Sequence, residues 1–201
     1  DSTVNALTSL FVFGCTDPIS LDYNPNANYD DGSCNEYTIL IGDYYQGGIV
    51  FYLDGSGGGL VSSIQDQSPS SKWSNNHSIF SSTGTNIGSG LQNTVDILTV
   101  YDELGYNTTG YAADICANLT YGGYSDWYLP SKDELSLMYH NIGPGNFYGL
   151  GINFAGFAND DYWSSSERGD NLAWALHFGN NAWDPNAFRG YQKHVRAIRA
   201  F

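Results

Sequence analysis

A chain of 201 residues can hold one sizeable domain plus an appendage. Its net charge of −14 argues against nucleic-acid binding, which needs cations to displace counterions, and against docking on anionic lipid. Only 14% of residues are charged, so solubility must come from the abundant Gly, Ser, Asn and Tyr, and no apolar run approaches the ~20 residues of a membrane helix.

Residues 1–13 read as an apolar arm through Val4, Leu7, Leu10, Phe11, Val12 and Phe13. The segment is too short for a core and too hydrophobic for a solvated tail. It is expected to bury itself in one of two ways: as an extra strand on its own domain, or in a neighbouring subunit through Leu7, Leu10 and Val12. A processing remnant is the third option.

Residues 14–36 form a separate module, with Gly14-Cys15-Thr16-Asp17-Pro18 at one end and Tyr23-Asn24-Pro25-Asn26-Ala27-Asn28-Tyr29-Asp30-Asp31-Gly32-Ser33-Cys34 at the other. It resembles a small repeat of exported marine bacterial proteins and, loosely, the calcium-binding type 3 repeats of thrombospondins. That resemblance implies a Cys15–Cys34 bridge closing a short loop, with Cys116 left as a thiol. Asn26, Asn28, Asp30 and Asp31 offer alternating oxygens of the kind calcium loops use. The same residues are standard turn formers, and Gly32 falls one place late for an EF-hand. Calcium and a plain turn cluster both stay open. The cysteine usage and a start at Asp1 rather than Met fit an exported, processed chain.

Residues 37–201 should be the main domain. Tyr37-Thr38-Ile39-Leu40-Ile41 and Gly48-Ile49-Val50-Phe51-Tyr52-Leu53 are rich in β-branched and aromatic residues and predict strands, with Leu60–Ile64 returning as a partner. Residues 65–90 read as a long surface loop anchored by Trp73 and Phe80. Helices are predicted over Leu91–Leu104, Tyr111–Leu119 and Ser131–Ile142. The last opens on Ser131 and Glu134, the S-x-x-E spacing of a capping box, before the apolar face of Leu135, Met138 and Ile142. Short strands and Gly-rich loops fill the rest.

Four blocks occur in order: Gly123-Tyr124-Ser125-Asp126-Trp127-Tyr128-Leu129-Pro130-Ser131, Tyr162-Trp163-Ser164-Ser165-Ser166-Glu167, Trp174-Ala175-Leu176-His177-Phe178-Gly179 and Val195-Arg196-Ala197-Ile198-Arg199. They resemble a bacterial branch of the C-type-lectin-like family, found in surface proteins and in the C-terminal domain of a collagen-like adhesin. The resemblance implies an α+β C-type-lectin-like fold with short strands, two to three helices and long loops. It says little about function, because one fold hosts many. The related formylglycine-generating oxidases use two late cysteines, and no cysteine follows Cys116 here. His77, His140, His177 and His194 lack the spacing of a zinc site, and no G-x-S-x-G elbow is present, so no enzyme is expected. Ser164, Ser165 and Ser166 should hydrogen-bond within the fold.

Animal C-type lectins hold sugars through a calcium bound by Glu-Pro-Asn or Gln-Pro-Asp and a later Trp-Asn-Asp. Asp184-Pro185-Asn186 resembles the first half, but no Trp-Asn-Asp follows. A calcium-independent site built on His177, Trp183, Phe188 and Tyr191 is the alternative, with aromatic faces free to stack on sugars or pack on a protein; plain packing remains open. The chain is expected to be a secreted or cell-surface recognition protein that binds a glycan or protein through its C-terminal loops. The alternative is a filament subunit that polymerises by lending its N-terminal strand to a neighbour.

Overall fold

The computed structural model describes residues 11–18, 20, 22–34, 39–75, 83–145, 152–169 and 171–201. The chain divides into two compact units, Asp1–Ile39 and Leu40–Phe201.

In the first unit a Cys15–Cys34 disulfide joins positions 19 residues apart, which on the chain-entropy view contributes about 3 kcal/mol. The bridge brings β1 (Phe13–Gly14) alongside β2 (Tyr29–Asp30) as a short parallel pair. Val12 extends this contact: its N–H donates to Asn28 Oδ1 at 2.8 Å and its carbonyl accepts from the Asn28 N–H at 2.9 Å. Residues 11–13 are therefore tied to their own module, which corrects the arm boundary expected at residue 13. Leu7 and Leu10 lie outside the described residues. Phe11, Phe13 and Tyr29 pack ring on ring at 5.1–6.3 Å, and each stays about half exposed.

The second unit holds two sheets and three helices among the described residues. β3 (Tyr44–Tyr45), β4 (Gly48–Leu53), β5 (Gly59–Ser62) and β11 (Ile198–Ala200) form an antiparallel sheet in the order β11-β5-β4-β3. β6 (Ser68–Lys72), β7 (Asp161–Glu167), β8 (Ala173–His177), β9 (Ala182–Trp183) and β10 (Gln192–Val195) form the other, in the order β6-β10-β7-β8-β9. Strand β10 lies antiparallel to β6 and parallel to β7, and β11 follows at once in the first sheet, so Gln192–Ala200 stitches the two sheets together. The helices are α1 (Gly90–Glu103), α2 (Ala112–Ala117) and α3 (Lys132–Asn141). The core between α3 and the sheets contains Phe51, Leu135, Met138, Ile142, Tyr162, Leu176, Phe178 and Ile198; burying a side chain of this size contributes roughly 1.5–3 kcal/mol.

Two expectations are corrected. Ile39–Ile41 is not a strand. Asp43 accepts the Leu40 N–H on its side chain at 2.9 Å and returns its own N–H to the Leu40 carbonyl, closing a turn through Gly42 at φ 97°. Residues 65–90 are not all loop, because Ser68–Lys72 is a strand. Its Ser-Pro-Ser-Ser-Lys sequence has little β propensity, but β10 supplies the pairing, and Pro and Lys suit a sheet edge. Phe80 and His77 lie outside the described residues.

The α3 capping box forms as expected. Glu134 Oε2 accepts the Ser131 N–H at 2.6 Å, and Ser131 Oγ accepts the Glu134 N–H at 3.3 Å. Burial pushes the Glu134 carboxyl up, against the lowering effect of these hydrogen bonds. Its other oxygen takes the Gly88 N–H at 2.8 Å, so the start of α3 also pins the entry to α1. Gly90 permits this approach, since a Cβ there would collide with Glu134 Oε2 and the Leu129 carbonyl.

Candidate functional site

The chain has only seven Lys and Arg residues, and four of them are buried. Arg189 pairs with Glu167 at 2.9 Å and Arg196 with Asp66 at 2.7 Å. Arg199 grips Asp126 with two bonds of 2.8 and 2.9 Å and, with partial burial opposing, holds that carboxyl below its usual range. Lys193 donates to Asp161 at 2.6 Å and to Asp184 at 2.7 Å. Each of the four also lies over an aromatic ring: Trp73, Phe157, Tyr124 and Trp163 respectively. Such pairs fix geometry more than they add net stability, but breaking one is costly. Three cations, Lys72, Lys132 and Arg168, remain outside this buried set.

Two of those three meet on a pair of indoles. Trp183 of β9 lies opposite Leu176 of β8. Trp174 is two residues before Leu176 and points to the same face, so the two indoles are diagonal cross-strand neighbours. Their rings meet edge to face at 5.6 Å. Lys132, the first residue of α3, places its ammonium 4.8 Å from the Trp174 ring and 5.0 Å from the Trp183 ring. Arg168, just past the end of β7, lies 4.7 Å from the Trp174 ring and donates to the Pro185 carbonyl at 2.6 Å. Both indoles are half-buried and Arg168 is exposed. Cation–π contacts of this kind contribute about 0.5–2 kcal/mol each. The result is a fixed aromatic surface carrying two cations on an otherwise acidic molecule.

The residues singled out in the sequence occupy this hairpin and the loop after it, with different roles. His177 ends β8, and its Nδ1 accepts the Gly179 N–H at 3.0 Å within the turn. Asp184 is committed internally, to Lys193 through Oδ2 and to the Asn186 N–H through Oδ1 at 2.8 Å. Partial burial alone would raise its carboxyl, but the hydrogen bonds from Lys193 and Asn186 and the charges of Lys193 and Arg168 hold it below the usual range. Asn186 is exposed. Phe188 and Tyr191 pack edge to face at 5.5 Å and are 40% and 53% exposed, enough to offer contact area. Trp174, Lys132 and Arg168 were not anticipated. Trp174 had a visible signal, since Gly179-Asn180-Asn181 is a hairpin turn between two Trp-bearing strands. The two cations had none.

In the first unit the four suggested metal ligands act as turn residues. Asn26 donates its N–H to Asn24 Oδ1, Asn28 Oδ1 accepts from Val12, Asp30 Oδ1 from Gly32 and Asp31 Oδ1 from Ser33, at 2.8–3.0 Å. No group of three or more His, Cys, Asp or Glu that could hold a metal ion occurs among the described residues. The three buried serines work inside the fold: Ser164 donates to the Trp174 carbonyl, Ser165 to the Pro130 carbonyl and Ser166 to the Gly84 carbonyl. Cys116 is buried and free, and burial pushes its thiol up. No described helix is long and apolar enough to cross a membrane.

The family described as the Lcl C-terminal domain matches residues 62–199. No curated protein matches the sequence. Among solved structures, a fimbrial protein from Bacteroides ovatus ATCC 8483 is similar with a TM-score of 0.55 and 14% identity, over 85% of this chain and 51% of that one. That likeness is one of fold, and this chain spans about half the length of the fimbrial protein.

Proposed function

This chain belongs to the Lcl C-terminal domain family, and on that premise we propose an extracellular, surface-associated recognition protein that binds a glycan or protein ligand without catalysis. One observation carries the proposal: the only two cations that converge outside the buried ion pairs do so on two half-exposed indoles. Indole faces stack on the flat apolar side of a sugar ring or on an aromatic side chain, while Lys132 and Arg168 attract acidic groups on the same ligand. The hairpin register and the buried Lys193–Asp184 tie fix the surface before binding, so little conformational entropy is lost when it is used. Phe188 and Tyr191 extend the contact area. The α+β unit is proposed to be C-type-lectin-like. The test is the binding of purified chain to arrayed glycans and extracellular-matrix proteins. Selective, salt-sensitive retention of acidic ligands is expected, and retention of none would remove the proposal.

A filament subunit is the second proposal. It rests on the fold likeness to a fimbrial protein and on the exposed Phe11, Val12 and Phe13 beside Tyr29. Loss of self-association on removing residues 1–10, followed by light scattering, would support it; unchanged association would end it. Calcium at Asn26, Asn28, Asp30 and Asp31 is a third proposal, since an oxygen that closes a turn keeps a lone pair for a cation. It requires melting curves in calcium and in chelator to differ.

A further inference from the structure

Three buried side-chain polar atoms have no hydrogen-bond partner: Ser74 Oγ, the Tyr101 hydroxyl and Asn171 Oδ1. Two of the three, Ser74 and Tyr101, line one cleft together with Trp73, Ile97, Thr108 and Tyr111. The cleft spans about 170 Å³ between α1, the start of α2 and the end of β6, and in this conformation it is too narrow to admit a water molecule. Both residues are 1% exposed. Folded chains rarely leave buried hydroxyls unbonded, and two converging on one cleft point to a shared partner.

The lining defines that partner. Ser and Tyr hydroxyls each donate and accept, so the partner needs groups that do both. No charged side chain lines the cleft, so an ionic ligand would be desolvated without compensation. Trp73, Tyr101 and Tyr111 supply flat aromatic walls. Trp73 is immobile: its Nε1 donates to the Ser164 carbonyl at 2.8 Å and Arg189 covers its ring at 4.6 Å. The volume lies below the roughly 300–1,000 Å³ of ordinary ligand pockets, which limits the occupant to one small ring. The opposite wall, Thr108 and Tyr111, belongs to the connection between α1 and α2. Gly105 and Gly110 there have φ of 71° and 81° and open space around them, so the segment can swing outward to widen the cleft.

We infer that this cleft is a second binding site, apart from the Trp174–Trp183 surface, for a neutral, compact, polyhydroxylated ring of the monosaccharide class. The test uses the intact chain with glucose, galactose, mannose and N-acetylglucosamine at millimolar concentration, and glucuronate as the charged control. Melting temperature and saturation-transfer NMR are the readouts. At least one neutral sugar should raise the melting temperature while glucuronate does not. Ser74→Ala and Tyr101→Phe each delete a hydroxyl without a partner. The unliganded variants should therefore melt at or above the parent temperature, while each weakens sugar binding by about tenfold. Trp183→Ala should leave the sugar effect in place. The inference is overturned if no neutral sugar acts on the intact chain, if both variants keep its full effect, or if both melt lower when unliganded, since the hydroxyls would then be bonded within the protein.

Discussion

Replacing Lys193 by Met tests how the recognition loop is held. The Lys193 ammonium is buried over Trp163 and bonded to Asp161 and Asp184, whose side chains are each 22% exposed. Removing one member of a fully buried ion pair costs about 3–5 kcal/mol. These carboxylates keep some contact with water and can rehydrate, so about 2–3 kcal/mol is expected. At about 2–4 °C per kcal/mol for a domain of this size, the melting temperature should fall by roughly 5–10 °C. The pH dependence follows from the two shifts. The Asp184 carboxyl is depressed from its ordinary 3.8, so its contribution is present above that value and is lost as pH falls through the lower folded-state value. For Lys193, burial would lower the ammonium, but the hydrogen bonds and charges of Asp161 and Asp184 raise it above 10.5. Its contribution is present below that value and is lost as pH rises through the higher folded-state value. The stability gap between parent and Lys193→Met should therefore be widest from about pH 5 to pH 9 and close at both extremes. Urea unfolding followed by circular dichroism across that range measures it. A gap under about 1 kcal/mol, or one that does not change with pH, would refute the reasoning.

Glu134→Ala should destabilise the second unit by about 2–4 kcal/mol, because the buried Ser131 and Gly88 N–H groups lose their acceptor; chemical denaturation checks this. Cys116 should resist alkylation in the folded protein and react once unfolded, since the buried thiol is held in its neutral form. Peptide mapping without reductant should return only the Cys15–Cys34 bridge.

The helices were legible because each carries its own signals: apolar spacing in α1, and in α3 a capping box whose two partners are three residues apart. Strand β6 was not, because Ser68–Lys72 has no pattern of its own and is held by backbone bonds from a strand over a hundred residues later. The false strand at Ile39–Ile41 shows the converse, where β-branched residues were overridden by the side chain of Asp43 and by Gly42. At the candidate site, Trp183, Phe188 and Tyr191 stood out as loop aromatics next to Asn, Pro and Gly. Trp174 looked like one more strand residue until the β8–β9 register placed it against Trp183. Lys132 and Arg168 come from different elements, and only the docking of the α3 start against the end of β7 brings them to the same rings.

The direct test of recognition at the indole surface is the affinity of a Lys132→Ala, Arg168→Ala double variant for whichever ligand the parent chain retains, measured by calorimetry alongside a thermal melt. Neither cation belongs to the buried ion-pair set, so the melting temperature should stay within a few degrees of the parent. Binding should weaken tenfold or more, as expected when two cation contacts are lost from a ligand face. Unchanged affinity in a folded double variant would place recognition elsewhere on the molecule and contradict the proposed site.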